Sequence, residues 1–340
     1  MCIRDRRPLP GTGPYRIESF TGKRGSVSLR RNPYFEQWSW AARPDGFADR
    51  IVFDAVTAER TTRAVAAGRA DVTTIVDGDV LVRHRSQVHV SPGSISFFMF
   101  LNTATPPFDD VRVRRALNLA VDRRAVLAGY GGEVAGQVSC QILLPSFPGY
   151  RQHCPYTESP GRLWTAPDLD RARALIRASG TRHPSVEVVT ATSLRRLGEY
   201  FPPLLRTLGF EAHLRVVRKD RYFPLVSGPA NRAQIGVYGW GADYPGASAF
   251  LTALFTCRGG VNPARFCDRD VDAGARRASA LAARPAEANQ AWAEVERAIM
   301  AAAPAVPLLT ERRATFVSTR VGNYVDNPIQ GPLYDQMWVH

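Results

Sequence analysis

Long apolar runs are missing from this 340-residue chain. No stretch of about 18 consecutive apolar residues occurs, which excludes a membrane-spanning helix. Lysine is nearly absent, confined to Lys23 and Lys219, so the formal charge of +13 is carried almost wholly by arginine. The arginines are scattered through helix-like phrases such as "RVRRAL" and "DRARALIRAS", with no dense block and no interleaved aromatic ladder. That distribution describes a solvated basic surface, and no nucleic-acid partner is expected. Catalytic signatures are missing too: there is no G-x-S-x-G, no Walker A, no H-E-x-x-H and no G-x-G-x-x-G after a strand. "GTGPY" is glycine-rich but opens a strand, so it presents no helix N-terminus to a phosphate. The six histidines (His84, His89, His153, His183, His213 and His340) show no paired spacing and read as structural or surface groups. Carboxylates fall at helix caps or beside arginines, and no pair stands out for acid–base work. No catalytic residue, cofactor or metal site is expected.

The opening "MCIRDRRPLP" lacks an apolar core and a small-residue cleavage site, so it does not read as a signal peptide. Cys2 also lacks the apolar stretch that precedes a lipidated cysteine. Residues 1–10 are read as a boundary segment, with any export signal lost along with what preceded them.

What is present is a core: hydrophobic residues make up 45% of the chain, enough for one large α/β unit or two domains. Of the five cysteines, Cys140 and Cys154 flank "QILLPSFPGYRQH", and Cys257 and Cys267 flank "RGGVNPARF". Both intervals are loop-like, rich in Pro, Gly or Asn, and suit short disulfide-closed loops. A metal site needs tighter pairs or more histidines than His153 beside Cys154 supplies. Two disulfides are expected, and they imply an oxidising, extracytoplasmic compartment. Cys2 is the odd one left.

Residues 15–20 and 26–31, "YRIESF" and "SVSLRR", read as strands around a glycine turn, with Asn32-Pro33 ending the second. "DRIVFDAV", "TAERTTRAVAAG" and "RADVTTIV" form a strand–helix–strand passage, with Gly68 at the helix stop. "SFFMFLNTATPPF" (96–108) is an apolar strand running into a proline stop. Asp109 or Asp110 then caps one helix, "VRVRRALNLAVDRRAVLAG", whose apolar stripe is Val113, Leu117, Ala120, Val121 and Leu127. Residues 129–166 have no periodicity; a loop that long is functional, pinned by a bridge, or both. Asp168 caps the next helix and Gly180 stops it. "SVEVVTA", "FEAHLRVV" and "AQIGVYG" are strands, and Pro202–Pro203 breaks or begins a helix. Strands alternating with helices indicate a mostly parallel sheet. Residues from 270 to 304 are helical, followed by extended "AVPLLTERRATFVSTRVGNYV".

Two phrases carry more than secondary structure. "FFMFLNTATPPFDDVRVRRALNLAVDRRAVL" and "YGWGADYPGASAFL" resemble the bacterial extracellular solute-binding proteins of family 5, the oligopeptide, dipeptide and nickel receptors of ABC importers. The family pattern N-T-x-x-P-P-F-x-D-x-R-V-R-x-A-L-x-x-A-I-D-R is filled from Asn102 to Arg123, with Val121 for the usual isoleucine. "GTGPYRIESF", "NPYF", "GRADV" and the close "VGNYVDNPIQGPLYDQMWV" match as well, so the resemblance runs from residue 10 onward. It implies an α/β, periplasmic-binding-protein-like clamshell of class II type, with two lobes and mixed sheets. Solute is held in the cleft and handed to a permease with its ATPase.

The same resemblance divides the chain into partial lobe 1 (11–95), lobe 2 (96–310) and a return to lobe 1 (311–340). On this resemblance the first strand of lobe 1 and its inserted domain are expected to be missing from this stretch, with apolar surface left exposed as a result. In the peptide-binding branch, the aspartate of W-x-A-D-Y pairs with the ligand's α-ammonium. Asp243 holds that place, after Trp240 and Ala242 and before Tyr244, and these four are the expected ligand-binding residues. The alternative for Asp243 is an Asx-turn within its own loop. Gly246-Ala247 after Pro245 departs from the family's usual Asp-Pro, which opens the ligand class. Binding of a solute or short peptide by an extracytoplasmic monomer is the expected function. A secreted peptide-binding chaperone or sensor of the same fold, or a secreted hydrolase, are the alternatives.

Overall fold

The computed structural model describes residues 10–21, 25–40, 44–55, 58–74, 78–182, 184–227 and 231–340. Cys2, Lys23, His183 and most of the boundary segment lie outside them. The described residues form two units, one up to Ser91 together with Arg313–His340, the other Pro92–Arg312.

In the first unit, β1 (Tyr15–Phe20), β2 (Ser26–Arg31) and β3 (Arg50–Asp54) make an antiparallel sheet in that order. Ile17 pairs with Leu29 and Leu29 with Ile51, so apolar side chains share a face across all three strands. Asn32 ends β2 by donating from its side chain to the Gly11 and Gly13 carbonyls while accepting from the Tyr34 N–H. Phe20, Tyr34, Trp38 and Trp40 are exposed here.

The chain continues through α1 (Ala58–Ala66), β4 (Val72–Thr73) and α2 (Gly78–Arg83). Val65, Val80 and Phe316 form a small core. The expected strand–helix–strand passage is not a unit of one sheet: β3 pairs with β2, whereas β4 pairs with Phe316 and Val317 near the other end of the chain. In the returning segment, Arg313 and Asp326 form a mostly buried ion pair at 3.2 Å.

The second unit is entered on β5 (Val88–Leu101), a longer strand than expected that stops earlier. Residues 102–108 are not strand. The Asn102 side chain turns the chain by donating to the Ala233 carbonyl and accepting from the Ala104 N–H, and Phe108 is buried beneath the turn. Asp110 caps α3 (Val111–Ala120) through the Arg112 N–H. The single helix expected here is two. Val121 is extended, and Asp122 caps a second helix, α4 (Arg123–Tyr130), by accepting from the Arg124 and Ala125 N–H groups. The apolar stripe is buried as a stripe across both. Replacing Asp122 by alanine is expected to cost about 1 kcal/mol in denaturant unfolding, and by asparagine only a few tenths, since asparagine caps equally well.

Arg112 pairs with Asp110 and donates to the Ala178 carbonyl; Arg114 donates to the carbonyls of Phe108, Asp109 and Ala302. Arg112 and Arg114, two of the motif's three arginines, therefore fasten the α3 entrance.

β6 (Gly136–Val138) precedes the long aperiodic loop, which ends at α5 (Leu169–Ser179). Asp168 caps α5 and Gly180 closes it at φ 72°. Then come β7 (Ser185–Ala191), α6 (Arg195–Glu199), α7 (Phe201–Thr207), β8 (Glu211–Val217), α8 (Lys219–Val226) and β9 (Ile235–Gly241). Pro202 and Pro203 sit at the start of α7, where the missing N–H costs nothing. α9 (Leu251–Phe255), α10 (Arg269–Ala280), α11 (Pro285–Ala302) and β10 (Ala305–Val317) complete the unit.

The strand order is β10–β5–β9–β7–β8, with β6 also on β10. β7 runs parallel to β8 and β9, but β5 is antiparallel to β9 and β6 to β10. The sheet is thus mixed, where strand–helix alternation alone pointed to mostly parallel. The parallel part is confined to β7–β9, whose connections are helical crossovers. Met99, Leu117, Val188, Ile235 and Leu308 belong to one continuous core.

Candidate functional site

β9 lies between β5 and β7, and it is buried at its start and half-buried at its end. Gly239 is required by packing: a Cβ there would lie 2.7 Å from the Phe97 ring. Tyr238 and Trp240 are on the opposite face. The two rings stack at 6.4 Å and 27°, and Phe223 meets Tyr238 edge-on at 5.4 Å. Tyr222 is buried and donates to the Val237 carbonyl at 2.5 Å; burial pushes its phenol well above the usual range. The strand end is thus backed by a cluster of aromatic rings.

The Trp240 indole N–H is already engaged, donating to the Ala249 carbonyl at 2.7 Å. What Trp240 can present to a ligand is therefore its ring. The Ala242 N–H extends the ladder by donating to the Ser94 carbonyl at 3.2 Å. Beyond it the chain leaves the sheet, held by the Gly246 N–H on the Tyr244 carbonyl and by the Tyr244 hydroxyl against Ser248 at 2.8 Å. Tyr244 is half exposed and Asp243 is exposed. Among the described residues no hydrogen bond or ion pair engages the Asp243 carboxylate, so it makes no Asx-turn in its own loop. Within five residues at the C-terminal end of a central strand the segment thus carries a carboxylate with no partner among the described residues, an exposed phenol and an indole. In α/β sheets that edge is where ligands bind. Such a group can hold a cation: a carboxylate supplies a charge-assisted hydrogen bond, and aromatic faces attract ammonium.

Cys140 is bonded to Cys154, and Cys257 to Cys267. The second loop follows α9 closely. Its Val261 N–H donates to the Ala253 carbonyl, and its Pro263 and Ala264 carbonyls accept from Asn231 and Thr103. No cluster of three or more His, Cys, Asp or Glu among the described residues is arranged to hold a metal.

Two buried charges escaped the sequence reading. Arg123 is fully buried and donates to the carbonyls of Asn118, Ser139, Tyr156 and Pro307; burial lowers its pKa to about 10. Glu296, on α11, is 1% exposed. Burial pushes its carboxyl up to about 7, against the opposing pull of N–H donors from Leu143, Gln141 and Ile142. A signal for it existed: Glu296 lies four residues from Trp292 and from Met300 on the buried face of an amphipathic helix, where a charge needs partners.

The sequence matches the bacterial extracellular solute-binding proteins, family 5 Middle, over residues 4–262, and the chain belongs to that family. It is 26% identical over 284 residues to probable di/tripeptide-binding protein 5 of Pseudomonas aeruginosa, covering 77% of this chain and 49% of that one. With heme-binding protein A of Haemophilus influenzae it shares 25% identity over 344 residues, 95% of this chain and 58% of the other. Among solved structures, clavulanic acid biosynthesis oligopeptide binding protein 2 superposes with a TM-score of 0.86 at 24% identity, covering 96% of this chain and 63% of that one. The fold is therefore the periplasmic-binding-protein-like α/β fold with mixed sheets. The chain spans about half to two thirds of the length of these relatives. All three relatives are named for binding.

Proposed function

We propose that this chain is the substrate-binding component of an ABC import system, capturing a solute, most simply a short peptide, outside the cytoplasmic membrane for delivery to a permease with its ATPase. The observation that carries the reading is the Asp243 carboxylate, exposed and without a partner among the described residues, in the segment that holds Trp240 and Tyr244 in a chain of the solute-binding family. Its role is counter-ion to the ligand's ammonium group, with Trp240, Ala242 and Tyr244 shaping the subsite. Relatives named for di- and tripeptides support a ligand with a free amino terminus. Residues 96–310 act as the ligand-binding lobe, and 11–95 with 311–340 belong to the other. The reading is of a monomer that binds and releases and performs no chemistry, which suits a site with one acid and no nucleophile–base pair.

Asp243→Asn is expected to weaken binding of an amine-bearing peptide by roughly 1.5–3 kcal/mol, on the order of 10- to 150-fold. Because the Asp243 carboxylate makes no bond to any described residue, the melting temperature should not move. Calorimetric titration with a panel of di- and tripeptides measures the first and a thermal melt the second. Equal affinity of wild type and variant for the peptide that binds would remove Asp243 from the site.

A further inference from the structure

The loop that follows β6 has no regular structure, yet one buried acid fixes it. Glu296 Oε1 accepts from the Ile142 N–H at 2.9 Å and the Leu143 N–H at 2.7 Å, and Oε2 accepts from the Gln141 side-chain amide at 2.8 Å. Gln141 in turn spans the disulfide-closed loop, donating to the Arg151 carbonyl and accepting from the His153 N–H at 2.7 Å. Gly149, at φ +87°, lies so close to α11 that a Cβ there would stand 2.7 Å from Trp292. The loop is thus clamped to α11 by one carboxylate and closed on itself by Cys140–Cys154.

The clamped loop has a second contact. Its tip, Phe147, is buried and meets Phe250 edge-on at 5.3 Å. Phe250 directly follows Ala249, whose carbonyl receives the Trp240 indole N–H. It also begins the turn into α9, with the Leu254 N–H on its carbonyl. A continuous set of contacts therefore runs from Glu296 through residues 141–147 and Phe250 to the rear of the Trp240–Tyr244 segment.

An apolar residue at position 296 would avoid the cost of burying a carboxylate. It would leave two backbone donors and an amide without acceptors, and would remove the side chain that ties residues 141–143 of the loop to α11. We propose that Glu296 is a positioning residue for the Trp240–Tyr244 segment, acting through the Cys140–Cys154 loop and the Phe147–Phe250 contact. The ligand-affinity part of this inference rests on the proposed receptor function, whereas the positioning itself does not.

Amide hydrogen exchange on the intact chain tests it with E296A, E296Q and F147A. In E296A, protection of the Ala249, Phe250 and Leu254 amides should fall at least tenfold along with that of Ile142 and Leu143, while β7 and β8 stay within twofold of wild type. E296Q should stay within about threefold at all five, because its remaining oxygen still accepts from Ile142 and Leu143, although its amide then faces the Gln141 donor and that bond is lost. F147A should loosen Ala249, Phe250 and Leu254 tenfold and leave Ile142 and Leu143 protected. Loss confined to residues 142 and 143 in E296A, or a uniform loss reaching β7 and β8, would reduce Glu296 to a loop anchor or a core residue and overturn the proposal. If E296A does not fold, F147A decides: unaltered protection of residues 249–254 overturns it. In calorimetry with Ala-Ala and Ala-Ala-Ala, F147A should weaken whichever peptide binds wild type at least fivefold, and unchanged affinity would overturn the ligand part. If neither peptide binds wild type, the peptide-receptor reading fails for these ligands and the exchange result still decides the positioning.

Discussion

Arg123→Met is expected to destabilise the protein by about 3 kcal/mol or more, well beyond the loss of a helix cap. The guanidinium is fully buried and has no carboxylate partner among the described residues; its Nε donates to the Ser139 and Pro307 carbonyls at 3.1 and 2.9 Å, and Nη1 to those of Asn118 and Tyr156. One side chain thereby joins the end of α3, the exit of β6, the aperiodic loop and β10. Methionine approximates the volume and abolishes the cost of holding a cation out of water, which offsets part of the loss. It also strands several buried carbonyls, each worth about 1–3 kcal/mol when left without a donor. Lysine retains the charge but cannot spread donors over four directions, so Arg123→Lys should fall between the two. Urea unfolding monitored by circular dichroism measures the difference. An unfolding free energy for Arg123→Met within about 1 kcal/mol of wild type would mean that the carbonyls find other donors.

The second large effect concerns the Cys140–Cys154 bridge, with a sequence separation of 14. Replacing both cysteines by alanine should cost about 3 kcal/mol, chiefly because the unfolded chain regains the freedom the closed loop removes. Alanine is preferred to serine because Cys154 is fully buried and a hydroxyl there would need its own partner. The native loop should persist in the variant, since Glu296 and Gln141 still hold it. The unfolding midpoint should drop while the near-UV spectrum of the folded form is retained. A loss below about 1 kcal/mol would show that the reduced, unfolded chain already keeps this loop closed.

The elements legible in the sequence are those whose signals are local. Asp168 and Gly180 bracket α5, Asn32 ends β2, and Pro202–Pro203 start α7, because caps, Asx geometry and proline act within a few residues. The break between α3 and α4 was within reach of the same reasoning. Asp122 is an N-cap placed inside a helical pattern, and the apolar stripe, continuous across it, concealed the stop. Sheet direction was not legible, because β5 meets β9 across more than a hundred intervening residues, and periodicity says nothing about partners. The same holds for β4, two residues long and paired with Phe316 and Val317. At the candidate site, the phrase around Asp243 could be read as chemistry, but the engagement of the Trp240 N–H by Ala249 could not. For Glu296 the spacing from Trp292 and Met300 marks a carboxylate on the buried face of α11, but its loop partners, more than 150 residues away, leave no local signal.

Whether Asp243 meets a ligand's positive end is tested most directly by chemical removal of that charge. Calorimetric titration of the wild-type protein with a binding peptide and with its N-acetylated form compares an ammonium with a neutral amide at one position. Acetylation should cost at least tenfold in affinity for wild type and much less for Asp243→Asn, since the carboxylate that distinguishes the two ligands is gone. Equal affinity of the free and acetylated peptides for the wild-type protein would contradict the proposed role of Asp243.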